Sequence, residues 1–496
     1  MKKNFWRSKV LCTYSALNSD IETECAVIGG GLAGIMCAAE LFKRGQKVCV
    51  LEAQRVGCGD TSGSSGMISF AHDLIYYRLM QKHGEATAKT YLELNKAGAE
   101  KIRNLIKEYN IDCGLGNCDM YLYAKTKSGL EALKKERRAY AALGYSFDIE
   151  NQTELPFETK GALKIPNQGY LNPYLFTAGL AGEIAKKGVK IYENTRVIEQ
   201  PKEGVLRVGE YVVKAKNFIV CTHFPYINAP GFYFFKMYQS RSSNIVFKTS
   251  HKISNKYESA EEKGFEYRPA NDSVLCGGAS VRCGKYKHSS RYEIVKRHLK
   301  EQFEVKDSDI LSQFAAQDCM TFDMLPFAGN YGTATDNIFV ITGFNKWGFT
   351  NSAAASKIIV DLIEGRQFCN IFDTRRIYAL LTPIKEVKNV AMIAAGFADL
   401  LLSSDSKKLR RIQNGQGAVV KYKGKRLGVF RDDKGKLKII DAVCPHLGCA
   451  LQWNKDDLSW DCPCHGSRFD TDGNIINGPA TSSAQRIESL NIQNSI

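Results

Sequence analysis

Residues 24–54 read ECAVIGGGLAGIMCAAELFKRGQKVCVLEAQ, and this stretch decides the fold. Cys25–Ile28 is a short apolar run, Leu32–Arg44 carries helical periodicity, and Lys47–Leu51 is apolar again. That order predicts strand, helix and strand in one βαβ unit. Gly29, Gly31 and Gly34 form G-x-G-x-x-G between the first strand and the helix. In such a turn the first glycine permits the sharp bend and the second lets the backbone approach a pyrophosphate. The third lets the helix pack on the strand, and the helix N-terminus faces negative charge. Glu52 ends the second strand, where a carboxylate can accept hydrogen bonds from a ribose hydroxyl. Together these residues predict dinucleotide binding.

At 496 residues the chain exceeds a single core, so two or more domains are expected. The formal charge of +16 comes from lysines spread along the chain. With no basic arm and no aromatic-basic platform, a solvated lysine-rich surface is preferred to nucleic-acid binding. The first twenty residues lack the apolar stretch of a signal peptide. The most apolar stretch, VAMIAAGFADLLLS over Val390–Ser403, is too short to span a bilayer and is broken by Asp399, so no transmembrane segment is expected. Of 16 cysteines, twelve are scattered through apolar segments at positions such as Cys37, Cys49 and Cys221, a pattern of reduced thiols in a cytoplasmic protein.

Further along, PYLFTAGLAGEIAKKG (173–188) reads as a helix and NFIVCTHFPY (217–226) as a buried strand with its loop. Residues 337–365 return to strand, glycine turn and helix, ending at Gly365. Residues 369–410 read as a helical connector. From Arg411 onward, short strands separated by NGQG, YKGK and DDKGK turns predict a small β domain.

Two segments carry a resemblance. AQRVGCGDTSGSSGMIS, after Glu52, resembles the chain that follows the βαβ unit in the D-amino-acid oxidase-like flavoprotein superfamily, which includes glycine and sarcosine oxidases. TGFNKWGFTNSAAASKIIVDLIEG (342–365) is similar to that family's C-terminal FAD motif, and DMLPFAG (323–329) precedes it at the usual distance. The resemblance spans about residues 23–368. It implies FAD, held at positions matching Gly29, Gly31, Gly34, Glu52, Ala53, Thr61, Ser62, Gly66, Met67, Val197, Thr222, Gly343, Gly348 and Thr350. The implied architecture is an α/β Rossmann-type FAD-binding domain (23–70, about 170–225 and 320–368) interleaved with a β-rich substrate domain (largely 71–165 and 226–319). A 22-residue N-terminal extension precedes it and an all-β domain (411–496) follows.

That last domain contains CPHLGCALQWNKDDLSWDCPCHGS (444–467). Its ligand candidates are Cys444, His446, Cys462 and His465, in the pattern C-x-H-x15-C-x-x-H. Two thiolates and two imidazoles suit tetrahedral zinc. The same set suits a Rieske [2Fe–2S] cluster, in which two cysteines hold one iron and two histidines the other. Spacing alone does not separate the two. The flanking residues closely resemble the paired cluster loops of Rieske proteins, especially those of cytochrome bc complexes. That resemblance implies iron and a disulfide between Cys449 and Cys464. It also implies a covering loop at Gly478-Pro479-Ala480 and a hydrogen bond from Ser467 to a bridging sulfide. Where those proteins usually carry a tyrosine, this chain has Phe469. The loss of that hydroxyl predicts a lower potential than in respiratory Rieske centres.

FAD and a Rieske cluster on one chain imply an FAD-dependent oxidoreductase that oxidises a small amine or amino acid and passes electrons to an external acceptor, protein or quinone. Reversed flow, with the cluster feeding the flavin, is an alternative, as is a redox sensor using the cluster or disulfide. An oxygenase iron is disfavoured, because the six histidines outside the cluster form no close i, i+4 or i, i+5 pair. Arg268, Tyr267, Lys346, Trp347 and His72 could line the substrate face, and each serves packing or an ion pair equally well. The position matching the carboxylate-binding lysine of sarcosine oxidases is Thr350, with Lys346 nearby. The substrate then either lacks a carboxylate or meets Arg268. Cys319 lies near where some relatives attach flavin, and a buried free thiol is the preferred reading.

Overall fold

The computed structural model describes residues 4–7, 10–286, 290–332, 335, 337–376, 411–422 and 424–488. It divides into two compact units.

The first unit comprises Met1–His223, Ser242–Ser280 and Tyr292–Arg376. Its seven-stranded sheet runs in the order Phe327–Asn330, Ile338–Thr342, Tyr211–Val220, Ile21–Ile28, Val48–Leu51 and Lys190–Tyr192, with Val205–Val208 beside Tyr211–Val220. The central pairings are parallel. Parallel strands are covered on both faces, which is why VCVL (48–51) and IFVIT (338–342) are apolar, or nearly so, and buried at every position. The helix Leu32–Lys43 returns the chain from Ile28 to Val48, as the glycine motif requires. The helix Pro173–Lys186 starts where Asn172 accepts the N–H groups of Tyr174 and Leu175 with proline next in line. The helix Gly348–Ile363 is followed by Gly365 at φ +72°.

A nine-stranded sheet supplies the β-rich part. Its path runs Ile310–Thr321, Met237–Phe247, Ser273–Arg282, Glu266–Ala270, Lys256–Ser259, Gly116–Ala124, Gly161–Tyr170 and Met67–Ile68. Residues 4–7 are part of the fold: Trp6 is buried among Tyr174, Val246 and Phe314, and its indole N–H donates to Ser64 O at 3.0 Å.

The second unit comprises Phe224–Arg241, Val281–Arg291 and Ile377–Ile496. Its described strands form a three-stranded antiparallel sheet (Gly417–Tyr422, Lys425–Arg431, Leu437–Asp441) and a four-stranded one (Gln452–Asn454, Ser459–Asp461, Arg468–Phe469, Ile475–Asn477). The hairpin turns carry Gly424 at φ +78° and Gly435 at φ +82°, where a side chain would be strained.

Two boundaries differ from expectation. The stretch 226–319, expected largely in the substrate domain, gives residues 226–241 and 281–291 to the second unit, where Arg241 and Arg291 pair with Asp457 and Asp456. The helical connector expected over 369–410, with its apolar stretch Val390–Ser403, falls mostly outside the described residues. Its start, 369–376, is turns rather than helix. There Asn370 and Asp373 bond their own downstream backbone, and Arg376 is drawn to Asp323 at 2.8 Å.

Candidate functional site

The glycine turn is closed on every side. Gly29 has φ +111°, and a Cβ there would lie 2.5 Å from Cys221 O. At Gly34 a Cβ would lie 1.8 Å from Gly29 O, so the helix approaches the strand as the motif demands. Gly31 faces Thr61, whose hydroxyl oxygen accepts the Leu32 N–H at 3.0 Å and ties the 60–63 turn to the helix start. The Glu52 carboxylate spans the turn, accepting Gly30 N–H and Gln54 N–H, each at 2.7 Å. Burial raises its pKa. Thr195 N–H donates to Glu52 O and Asn194 N–H to Gln54 O, which ties the 194–195 turn, two residues before Val197, to the two residues that flank Ala53. Ser62 is buried and donates to Cys58 and Gly59 carbonyls. Gly66, at φ +72°, leaves room for Leu171 O, and Met67 pairs with Tyr170. Thr222 follows Cys221 against Gly29.

The second expected segment holds its shape by strain-tolerant residues. Gly343, Asn345 and Lys346 all have positive φ, and Gly348 opens the helix. Asn345 holds the loop by accepting Thr321 N–H at 2.7 Å and donating to Gly343 O at 3.1 Å. Here His72, Trp347 and Thr350 come together. The His72 ring stacks on the Trp347 indole at 4.5 Å and bonds Ser69 O, Tyr91 Oη and Thr350 Oγ1. Burial pushes the His72 pKa down to about 3, so the ring is neutral and fully engaged.

Tyr267 and Arg268 stand apart from that group. Tyr267 lies opposite Tyr257 in an apolar cluster and bonds His298. The Arg268 guanidinium is 1% exposed, sits between Trp6 and Tyr170, and donates to Pro269 O and Leu171 O. Burial pulls its pKa down to about 10.

A further charge group was not expected. Glu258 and Glu266 face each other directly across antiparallel strands, an unfavourable pairing that the buried Lys256 ammonium bridges. Lys256 lies 2.9 Å from Glu258 and closer to Glu266. With one cation between two acids, burial pushes Glu258 up to about 8 while Lys256 holds Glu266 down. Lys346 donates to Ser280 Oγ at 2.9 Å. Burial opposes its charge, and the carboxylates of Asp73, Asp318, Glu258 and Glu266 outweigh that and raise its pKa. Burial raises Asp318 to about 6 against Lys346 and His223. Cys319 is a buried free thiol. Alternation was the available signal: in KYES and EYRPA, Lys256, Glu258 and Glu266 share one face, which turns Tyr267 to the other.

In the second unit, Cys449 and Cys464 are joined by a disulfide that ties two loops. Gly448 N–H donates to Cys444 O and Gly466 N–H to Cys462 O, so the loops have matching tight turns. Cys444 and Cys462 are free thiols that lie within interaction distance of each other, and Ser467, beside Cys444, accepts Ala480 N–H on its hydroxyl at 3.0 Å. The His446 and His465 rings stand 5.1 Å apart. His446 Nδ1 and both ring nitrogens of His465 are buried with no protein partner, as metal-binding nitrogens would be. A tetrahedral zinc would draw all four ligand atoms to within about 4 Å of one another. Among the described residues no three of these four do so within 4.8 Å; the one such group is Cys449, Cys462 and Cys464, two of them spent in the disulfide. The set suits a dinuclear centre.

Sequence reasoning missed what surrounds these loops. Gln239 donates to His465 O at 2.6 Å and Gly478 O at 3.2 Å, and Arg282 donates to Pro463 O and Cys464 O. Gly284 and Gly466 lack a Cβ that would strike Pro463 and Gln239.

Residues 24–362 match the family model for FAD-dependent oxidoreductases, and residues 404–491 match that for the Rieske [2Fe–2S] domain. The chain belongs to the FAD-dependent oxidoreductase family. It is 32% identical to the Bacillus subtilis protein YhfW, described as a Rieske 2Fe-2S iron-sulfur protein, over 98% of this chain and 97% of that one. It is 24% identical to γ-glutamylputrescine oxidoreductase of Escherichia coli over 71% of this chain and 86% of that one. Glycine oxidase from Bacillus cereus shares its fold, with a TM-score of 0.59 and 18% identity over 72% of this chain and 99% of that one.

As an FAD-dependent oxidoreductase with a C-terminal Rieske domain, the protein binds FAD and one [2Fe–2S] cluster. The residues present fit both groups. The glycines of the turn carry no side chain of their own at the helix start, and the cluster loops offer two sulfurs and two imidazoles with partnerless nitrogens. Among the described residues no helix is long and apolar enough to cross a membrane.

Proposed function

We propose that this oxidoreductase oxidises a small cationic amine and passes the electrons through its Rieske cluster to an external acceptor. When bound, FAD would supply a two-electron acceptor for the hydride equivalent lost from the α C–H bond as an amine becomes an imine, and the [2Fe–2S] cluster would supply one-electron transfer. The observation that carries the substrate class is the acid group of Asp73, Glu258, Glu266 and Asp318, gathered around Lys256 and Lys346 with His223 beside Asp318. Where these acids ionise they stabilise an ammonium and repel a substrate carboxylate. Arg268, the expected carboxylate partner, is already engaged by two backbone carbonyls and two aromatic faces. The activity named for γ-glutamylputrescine oxidoreductase, a relative, supports an amine.

In this reading Cys444 and Cys462 hold one iron and His446 and His465 the other, while Gly29, Gly31 and Gly34 admit the FAD pyrophosphate. Glu258 and Asp318, with pKa values raised to about 8 and about 6, are able to hold or release a proton near neutral pH. Trp347 and His72, stacked and neutral, provide a rigid wall that binds no proton in this range. The buried free thiols Cys25, Cys37, Cys49 and Cys221 support a cytoplasmic location.

The test mixes anaerobic oxidised protein with amines and amino acids, following flavin bleaching and the Rieske EPR signal together. Bleaching by an amine followed by the cluster signal is expected. A cluster that fills first, from a reductant, with the flavin following and no amine effective, would reverse the direction of flow.

A further inference from the structure

We propose that Asn228 is a positioning residue for the cluster. It takes the outer N–H of His446 and thereby holds the cluster's reduction potential down. The inference rests on His446 being an iron ligand.

The geometry is specific. His446 Nε2 lies 2.6 Å from Asn228 Oδ1, while His446 Nδ1 is buried and has no protein partner. An imidazole that gives Nδ1 to a metal keeps its proton on Nε2, so Nε2 donates. The amide must then present its oxygen, because its nitrogen would set donor against donor. His465 differs. Its Nε2 has no protein partner, and its ring lies 5.7 Å from Phe234 and 6.5 Å from Phe224. The two histidines are therefore inequivalent: one is polarised by an amide and the other is enclosed by aromatic rings.

Asn228 is held in place. Its carbonyl accepts Phe232 N–H at 2.9 Å, Phe234 packs 6.1 Å from the His446 ring, and Gln239 further along binds the backbone of His465. Residues 224–241 thus grip both cluster loops, and Asn228 meets His446 across 218 positions of sequence. A ligand imidazole that donates its second N–H becomes more basic and gives more electron density to its iron. The oxidised, more positive cluster gains most, and the potential falls.

The test is an EPR-monitored redox titration of the full-length protein with its cluster, comparing wild type with Asn228→Leu and Asn228→Asp. Asn228→Leu removes the acceptor and shifts the potential upward. Asn228→Asp strengthens the acceptor and shifts it downward. Pulsed EPR adds a second readout: unequal nitrogen couplings from the two histidines in wild type, drawn together in Asn228→Leu. A potential unmoved by either variant, or moved the same way by both, overturns the role of Asn228. If Asn228→Leu fails to retain its cluster, Asn228→Asp decides alone, and no downward shift overturns it. A wild-type protein whose iron signal is not of the Rieske type overturns the ligand assignment itself.

Discussion

The Asp457 carboxylate lies 2.6 Å from the guanidinium of Arg241, a residue 216 positions earlier, and the same oxygen draws Arg468 to 3.4 Å and Arg291 to 3.5 Å. Three cations on one buried carboxylate fasten residues 224–241 and 281–291 to the cluster unit. Burial alone would raise the pKa of Asp457; Arg241, Arg468 and Arg291 override it and hold it far below the carboxylate range.

Asp457→Asn should therefore loosen the unit. Removing one partner of a buried ion network costs about 3–5 kcal/mol. A depressed pKa contributes stability that is complete above the unfolded value of about 3.9 and is lost as pH falls below it. Thermal loss of the cluster's visible absorbance should come at lower temperature in the variant at pH 7. Between pH 4 and pH 2 the difference from wild type should shrink.

Gly34→Ala should give a protein without flavin. The new Cβ would meet Gly29 O at 1.8 Å, and only separating the helix from the strand relieves it. The flavin absorbance per mole of protein should fall close to zero while the Rieske EPR signal persists. Gly45→Ala provides a control for strain without a clash: it has φ +82° and open space around the added atom.

Amine oxidation should sharpen as pH rises through about 6. Below that value Asp318 is protonated and offers no charge to an ammonium; above it the carboxylate forms. KM for a cationic amine should fall several-fold between pH 5 and pH 7, and Asp318→Asn should flatten this dependence while raising KM at pH 7. A KM independent of pH in wild type would separate Asp318 from substrate binding.

Phe469→Tyr should raise the cluster potential. Phe469 is fully buried and pairs with Trp460. Adding a hydroxyl where Rieske proteins of cytochrome bc complexes usually carry one supplies a donor that favours the reduced state. Redox titration checks the sign.

The glycine turn and the cluster loops were legible because each is written in consecutive residues: Gly29 to Gly34 within one turn, Cys444 to His465 within two loops. Local chemistry there dictates local geometry. Lys256, Glu258 and Glu266 were hidden for the opposite reason. Their meeting depends on which residue of one strand faces which of the next; Tyr267 and Arg268 read equally well as substrate-face or packing residues, and the register directs Tyr267 into an apolar cluster. Asn228, Gln239 and Arg282 carry no motif, and their value lies in partners about two hundred positions away. The helical reading of 369–376 failed because Asp373 and Arg376 find side-chain and carbonyl partners that compete with a helix.

The borrowing of Phe224–Arg241 and Val281–Arg291 by the cluster unit bears on how such a protein could arise and be taken apart. A gene fragment beginning near residue 404 would encode every iron ligand yet omit Arg241, Gln239, Arg282 and Asn228. The fusion is therefore not a bead on a string. Cutting the chain between its two family-matched segments would separate Asp457 from Arg241 and Arg291, and the carbonyls of Pro463, Cys464, His465 and Gly478 from Arg282 and Gln239.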